Sequence, residues 1–326
     1  MTAPHESPAF ERRRAIALAA VVVAVLSWSV GPLLVFSMSV SLPTLVFYRQ
    51  LIWLPLLFVL AHTVGDGFTK HHLAVSWKPG VLFAASTALG FASFRATTIA
   101  NATLIGSLTP AVLLFLAPRI LGEKITAQKV VYSLVSFVGV VAVVVGAETT
   151  GGSGGTNRAV GEHGLFGDAL ALANMATWTV YFVAAKRARD EGTNTWSFLT
   201  GVCLVNVLLT TPWALVAGDD LLDVTTRDWL LLLLMMLIPG TAGHFLITWA
   251  QRYLDTTVSS LITLAGPVVS TALAFVFLDQ GVALVQVLGG AIVLLGLGGV
   301  ILSTAAARAT KSDTVGTVDP LLNSNP

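Results

Sequence analysis

Apolar runs of membrane-spanning length recur along this chain from Ala15 to Ser303, and they decide what it can fold into. A bilayer core about 30 Å thick takes roughly 20 such residues per helix. Inside hydrocarbon the backbone must satisfy its own N–H and C=O groups, so runs of this length and continuity are helices. Composition agrees: 55% of residues are hydrophobic and 11% charged, with mean hydropathy +0.82. An ordinary soluble domain carries roughly 25% charged residues. Ten spans fit, at Ala15 to Phe36, Leu42 to Ala61, Gly80 to Ile99, Ala102 to Leu121, Val130 to Gly146, Leu165 to Ala185, Trp196 to Val216, Trp229 to Ala250, Val258 to Leu278 and Val282 to Ser303. The expected fold class is all-α integral membrane. The first run follows "ERRR" but is too long for a signal-peptide core and lacks a small-residue cleavage site, so it is expected to remain.

Lys and Arg resist translocation, and their distribution gives an expected orientation. With the amino end inside, the cytoplasmic connections hold Arg12, Arg13, Arg14, Lys70, Lys78, Lys124, Lys129, Lys186, Arg187, Arg189, Arg252, Arg308 and Lys311. The opposite side keeps Arg158 and Arg227, with Arg95 nearby. The expectation is a multi-pass protein of the plasma (inner) membrane with both termini cytoplasmic. A net charge of +1 argues against nucleic acid as a partner. Cys203 is alone, which excludes an intrachain disulfide and a cysteine-based metal site. No H-E-x-x-H and no P-loop occur, and the adjacent His71 and His72 are expected in a cytoplasmic loop. No metal, cofactor or catalytic group is therefore expected. A membrane enzyme or a scaffold remains the minor alternative.

The second half echoes the first. "RATTIANATLIGSLTP" from Arg95 aligns with "RYLDTTVSSLITLAGP" from Arg252, 157 residues later, and the same offset pairs Pro110 with Pro267, Leu121 with Leu278 and Gly139 with Gly296. "SWSV" around Trp28 meets "TWTV" around Trp178 at an offset of 150. The expected organisation is a cytoplasmic tail at 1–13, a five-helix repeat at 14–147, a Gly-rich linker at 148–163, a second repeat at 164–303 and a disordered cytoplasmic tail at 304–326. Two tandem units with an odd number of spans insert with opposite orientation. Inverted repeats are a recurrent plan of secondary transporters, whose substrate sites lie near mid-membrane between the halves.

The segments "ANATLIGSLTPAVLLFLAPRILGEKIT" and "TTVSSLITLAGPVVSTALAFVFLDQ", the "FYRQ" around Arg49 and the duplicated five-span layout resemble the drug/metabolite transporter superfamily, EamA type. The resemblance covers about residues 14 to 303. It implies a ten-helix exporter of small metabolites, often amino acids, with a central cavity lined by the first four spans of each half. The family commonly closes its fourth-span motif with Gly-Glu in both halves, as at Gly122 and Glu123; here the second copy reads Asp279 and Gln280. Uptake of a small organic solute is the alternative direction. Substrate identity, proton coupling and a homo-oligomeric state are left open.

Arg49 lies about seven residues into its span, roughly 10 Å deep at 1.5 Å per residue. A cation there costs at least about 2.5 kcal/mol and must face protein or water. It either draws a substrate carboxylate inward or contacts backbone carbonyls. His244, about 12 Å from its helix end, either takes up a proton or stays neutral and hydrogen-bonded, since an imidazole titrates near neutrality. Trp28 and Trp178 occupy matching mid-span positions, where they line a cavity or pack. Asn101, Thr103, Ser107, Asn174, Tyr181 and Trp249 complete the candidate substrate cavity, with Gln251, Tyr48 and Arg95 as lesser candidates. Pro110 and Pro267 are expected to bend their helices as paired gates. Gly139, Gly146, Gly289 and Gly296 read as helix-packing positions.

Overall fold

The computed structural model describes residues 8–96, 102, 105–122, 125–149, 164–218, 221–278 and 282–316, and among these there is no strand. The first half comprises α1 (Pro8–Ser29), α2 (Gly31–Ser37), α3 (Leu42–Thr63), α4 (Lys70–Ala96), α5 (Thr109–Leu121) and α6 (Ala127–Thr149). The second comprises α7 (Gly164–Asp190), α8 (Thr195–Ala217), α9 (Thr226–Met235), a π-helical segment (Met236–Gly243), α10 (His244–Ala250), α11 (Thr256–Ile262), a 3-10 turn (Thr263–Ala265), α12 (Gly266–Leu278) and α13 (Leu284–Gly316). Among the described residues five stretches are long and apolar enough to cross a membrane: Arg12–Val35, Leu42–Thr63, Ala127–Gly146, Thr195–Ala217 and Thr226–Ala250. Shorter apolar helices cover Thr109–Leu121, Thr256–Ser270 and Leu284–Val300. Large aliphatic side chains such as Leu134, Leu295 and Val138 point outward rather than into a core. This is the surface a multi-pass membrane protein presents to lipid.

Two boundaries differ from expectation by about ten residues or more. Helix α4 begins at Lys70, ten residues before the expected span, so His71 and His72 lie in its first turn rather than in a loop. The cause is tertiary. Ser76 Oγ donates to Phe198 O at 3.1 Å, and a Cβ on Gly201 would lie 2.5 Å from the Ser76 Cβ. These polar early turns are helical because they pack on α8. Helix α13 continues to Gly316, beyond the expected end at Ser303.

Both proline segments are broken helices. Pro110 occupies the first turn of α5 after the Ser107–Leu108 turn, and Pro267 occupies the first turn of α12 after the 3-10 turn. Proline costs little there, because a first-turn N–H has no intrahelical partner anyway. In each segment the regular α-helix is interrupted just before its proline rather than at it. The Cα chain of α5 ends at Gly122, whose φ of 66° is left-handed.

The helices pack in defined pairs: α6 with α13, α3 with α8, α5 with α11, α4 with α7, and α1 with the π segment and α10. At the α6–α13 contact, Cβ atoms added to Gly139 and Gly289 would lie 2.7 and 2.8 Å from the facing helix. The expected packing role of these glycines is what their surroundings show. One end of the bundle is tied by Asp228, which accepts from the Ser39 N–H at 3.1 Å and from the hydroxyls of Ser39 and Thr225. The opposite end carries the Lys129–Asp255 pair at 3.1 Å and a bond from Lys186 Nζ to Gln251 O at 2.7 Å.

Candidate functional site

The central site begins with the π segment. Pro239 cannot donate to the helix ladder, and the chain widens to i→i−5 bonding around it; the Thr241 hydroxyl donates to Met236 O, five residues back, at 2.9 Å. Trp28 Nε1 reaches across from α1 and donates to Pro239 O at 3.1 Å. The indole lies so close that a Cβ on Gly243 would sit 2.5 Å from Trp28 Nε1. Only glycine fits at that contact. Gly243→Ala should therefore displace the indole and cost about 1–3 kcal/mol, measured as a lowered Tm of the purified protein; an unchanged Tm would show that the contact is slack.

His244 follows directly and sits in an aromatic cage. Its ring centroid lies 5.2 Å from Trp28, 5.0 Å from Phe83, 5.9 Å from Trp53 and 5.9 Å from Trp178. Trp28 and Trp178 meet edge to face at 5.6 Å, and Tyr181 is 5.2 Å from Trp178. These rings come from α1, α3, α4 and α7 together with α10, so both halves of the chain build the cage.

Arg49 enters from α3. Its Nη2 lies 3.4 Å from His244 Nε2, its guanidinium stands 5.6 Å from the Phe91 ring centroid, and it is 5% exposed. A guanidinium can only donate, so His244 Nε2 accepts, which places the imidazole proton on Nδ1. Among the described residues Arg49 is in no ion pair, and its Nε has no hydrogen-bond partner. The buried amide nitrogens of Gln50 and Asn206 are likewise without partners. Cys203 Sγ lies 3.3 Å from the Gln50 backbone carbonyl O and 3.5 Å from its side-chain Oε1.

The comparisons with known proteins agree with this architecture. Residues 165–302 match the EamA-like transporter family. A protein of Clostridium kluyveri, described as an uncharacterized transporter, is 27% identical over 182 residues, which is 54% of this chain and 55% of that one. The chain thus spans about half the length of the curated relative it matches. The chain is thus similar to the EamA-like transporters, through residues 165–302. A crystal structure of a protein 20% identical superposes with TM-score 0.70 over 88% of this chain and 97% of that one, a likeness of fold. The match is to transporters rather than to any enzyme family.

The sequence-named residues divide. Arg49, His244, Trp28, Trp178 and Tyr181 come together. Asn174 does not: its Oδ1 accepts from Ser86 Oγ at 2.7 Å, and its amide packs on Gly90, so it serves the α4–α7 contact. Trp249 faces Tyr253 at 5.0 Å and lines a cavity at the basic end of the bundle. Gln251 Nε2 donates to Phe182 O at 3.3 Å, and Tyr48 donates to Leu221 O at 2.7 Å. Ser107 is buried in the turn before α5. Asn101, Thr103, Glu123, Asp279, Gln280 and the Arg95 side chain lie outside the described residues. Sequence reasoning missed Trp53, Phe83, Phe91, Gln50 and Asn206. Gln50 and Asn206 carried a usable signal, as amides inside apolar runs; the three aromatics did not.

Proposed function

We propose that this chain is a secondary transporter that exports a small carboxylate-bearing metabolite, an amino acid or a relative of one, by alternating access. The observation that carries the reading is Arg49: a buried guanidinium in no described ion pair, in contact with the His244 that an aromatic cage from both halves of the chain surrounds. A buried charge left without a counter-charge is strongly unfavourable, so an arriving carboxylate is stabilised there. The aromatic faces of Trp28 and Trp178 then take the apolar part of the substrate.

The plan of ten spans in two inverted repeats draws support from the helix pairs. An axis exchanging the halves maps spans one to five onto six to ten, so the second, fourth and fifth spans should each pack on their own counterpart. The pairs α3 with α8, α5 with α11 and α6 with α13 have that relation. The same exchange turns a contact between spans one and eight into one between six and three. The contacts of α1 with the π segment and α10, and of α4 with α7, are such a pair. Facing inverted halves supply the two end states of alternating access. The interruptions before Pro110 and Pro267, on helices that pack across the repeat boundary, are the proposed gates. The basic end of the bundle is the proposed cytoplasmic face of the plasma membrane.

Coupling follows from the Arg49–His244 contact. While Arg49 donates to His244 Nε2, that nitrogen is occupied and the imidazole stays neutral. A carboxylate that takes over the guanidinium donors releases Nε2 beside an anion, where protonation is favoured. Proton uptake is then conditional on substrate. His244→Gln should leave downhill flux in place and remove its dependence on a pH gradient; retention of that dependence would eliminate the proposal for His244. The reading as a whole is tested by loading proteoliposomes with a metabolite carboxylate and its primary amide. The carboxylate should leave and the amide should stay, and equal release of both would count against an anion site at Arg49.

A further inference from the structure

A second cluster of donors, which shares no residue with the cage, lies at the basic end of the bundle. A cavity of about 450 Å³ opens there between the ends of α3 and α7, the start of α8, and α10. Its wall includes Arg189 and Arg252, with Asp66 and three aromatic side chains, Trp196, Phe245 and Trp249. Arg189 is 3% exposed, yet its Nε and Nη1 have no hydrogen-bond partner. Trp196 and Phe245 stack face to face at 3.9 Å with an interplanar angle of 11°, which gives the cavity a flat apolar wall. Asn194 caps α8 by accepting from the Trp196 N–H at 2.9 Å, and its Nδ2 donates to Asp66 Oδ1 at 3.4 Å.

We infer that this cavity is a separate binding site for a small aromatic carboxylate, whose acid group pairs with Arg189 and Arg252 and whose ring lies against Trp196, Phe245 and Trp249. Arginine matches a carboxylate with two parallel donors, and the two cations share the load. Burial first, and then the neighbouring Arg252, push the Arg189 guanidinium down to about 10, so it remains cationic at neutral pH. Asp66 also lines the cavity and favours the charged form of Arg189. Its carboxylate repels a multiply charged phosphate and accepts an ammonium, so a zwitterion is held better than a simple acid. The cavity volume also falls in the range of small-molecule pockets, about 300–1,000 Å³. That the site feeds the Arg49 centre rests on the transport reading. Its occupancy does not.

The test is equilibrium binding of radiolabelled phenylalanine to the full chain in nanodiscs, in competition with 3-phenylpropanoate and 2-phenylethylamine. Phenylalanine should bind best, 3-phenylpropanoate more weakly, and 2-phenylethylamine, which lacks the acid, barely at all. Arg189→Gln should weaken phenylalanine binding about tenfold or more, because a charge-assisted pair is lost. The more exposed Arg252→Gln should weaken it less, by about threefold. Arg49→Gln should retain the mouth site, so loss of binding at Arg189 and loss of transport at Arg49 are separable failures. If Arg189→Gln does not fold, Arg252→Gln and the ligand order decide. Equal binding of 2-phenylethylamine, or phenylalanine binding indifferent to both arginines, overturns the site. So does a wild-type chain that binds none of the three but retains phosphatidylglycerol through Arg189, which would make the cavity a lipid headgroup site.

Discussion

Arg49→Gln is expected to reduce carboxylate flux about a hundredfold or more, since it removes the counter-charge from a desolvated anion, an effect of about 3–5 kcal/mol. The variant should nonetheless fold. Arg49 is buried beside His244 and Phe91 without an ion pair among the described residues, so replacing its guanidinium with a neutral amide relieves a desolvation cost rather than stranding a partner charge. Flux of a preloaded carboxylate from proteoliposomes, beside the Tm of the same preparation, separates the two effects. Lost flux at an unchanged or raised Tm fits a substrate ligand. A fall in Tm that accounts for the lost flux would make Arg49 a structural residue. Arg49→Lys should recover only part of the activity, because an ammonium offers a point charge and not the planar pair of donors.

Gly139→Leu is expected to be the most damaging change outside the site. Lipid tails are as apolar as a leucine side chain, so helix association in a membrane depends on close packing, and small residues allow it. At Gly139 a Cβ would already lie 2.7 Å from both Gly289 O and Val293 N, which are backbone atoms that cannot swing away. Forcing α6 and α13 apart should cost about 3 kcal/mol or more. Gly298→Leu is the control, because a Cβ there meets nothing within 4 Å. Thermal unfolding followed by size-exclusion elution should show early loss of the Gly139 variant and a Gly298 variant close to wild type. Equal behaviour of the two would mean that the α6–α13 contact does not hold the bundle.

Much of this was legible in the sequence, and the limits have physical causes. Hydrophobic length located the apolar helices, because a span has no other way to satisfy its backbone. It placed the start of α4 ten residues late, since the turn from Lys70 is held by packing on α8 and not by hydropathy. The π segment was invisible, as its residues keep the apolar character of a regular span; only Pro239 and Gly240 hinted at a distortion. The internal echo marked Trp28 and Trp178 as counterparts, and the fold brings them together. It could not pair Arg49 with His244, which lie 195 residues apart and face each other only through the packing of α3 against the π segment. Asn174 shows the opposite error. A polar side chain in a span reads as a cavity group, but a neighbouring helix can satisfy it equally well, as Ser86 does.

The central claim is that the buried Arg49 selects carboxylates for passage through the bundle. It is tested most directly by loading proteoliposomes with an unbiased metabolite mixture and recording which solutes leave, with and without a pH gradient. The account predicts that one or a few small carboxylate-bearing solutes are released, faster when the gradient is imposed. Release confined to neutral or cationic solutes would contradict it, as would retention of every solute by liposomes containing folded protein.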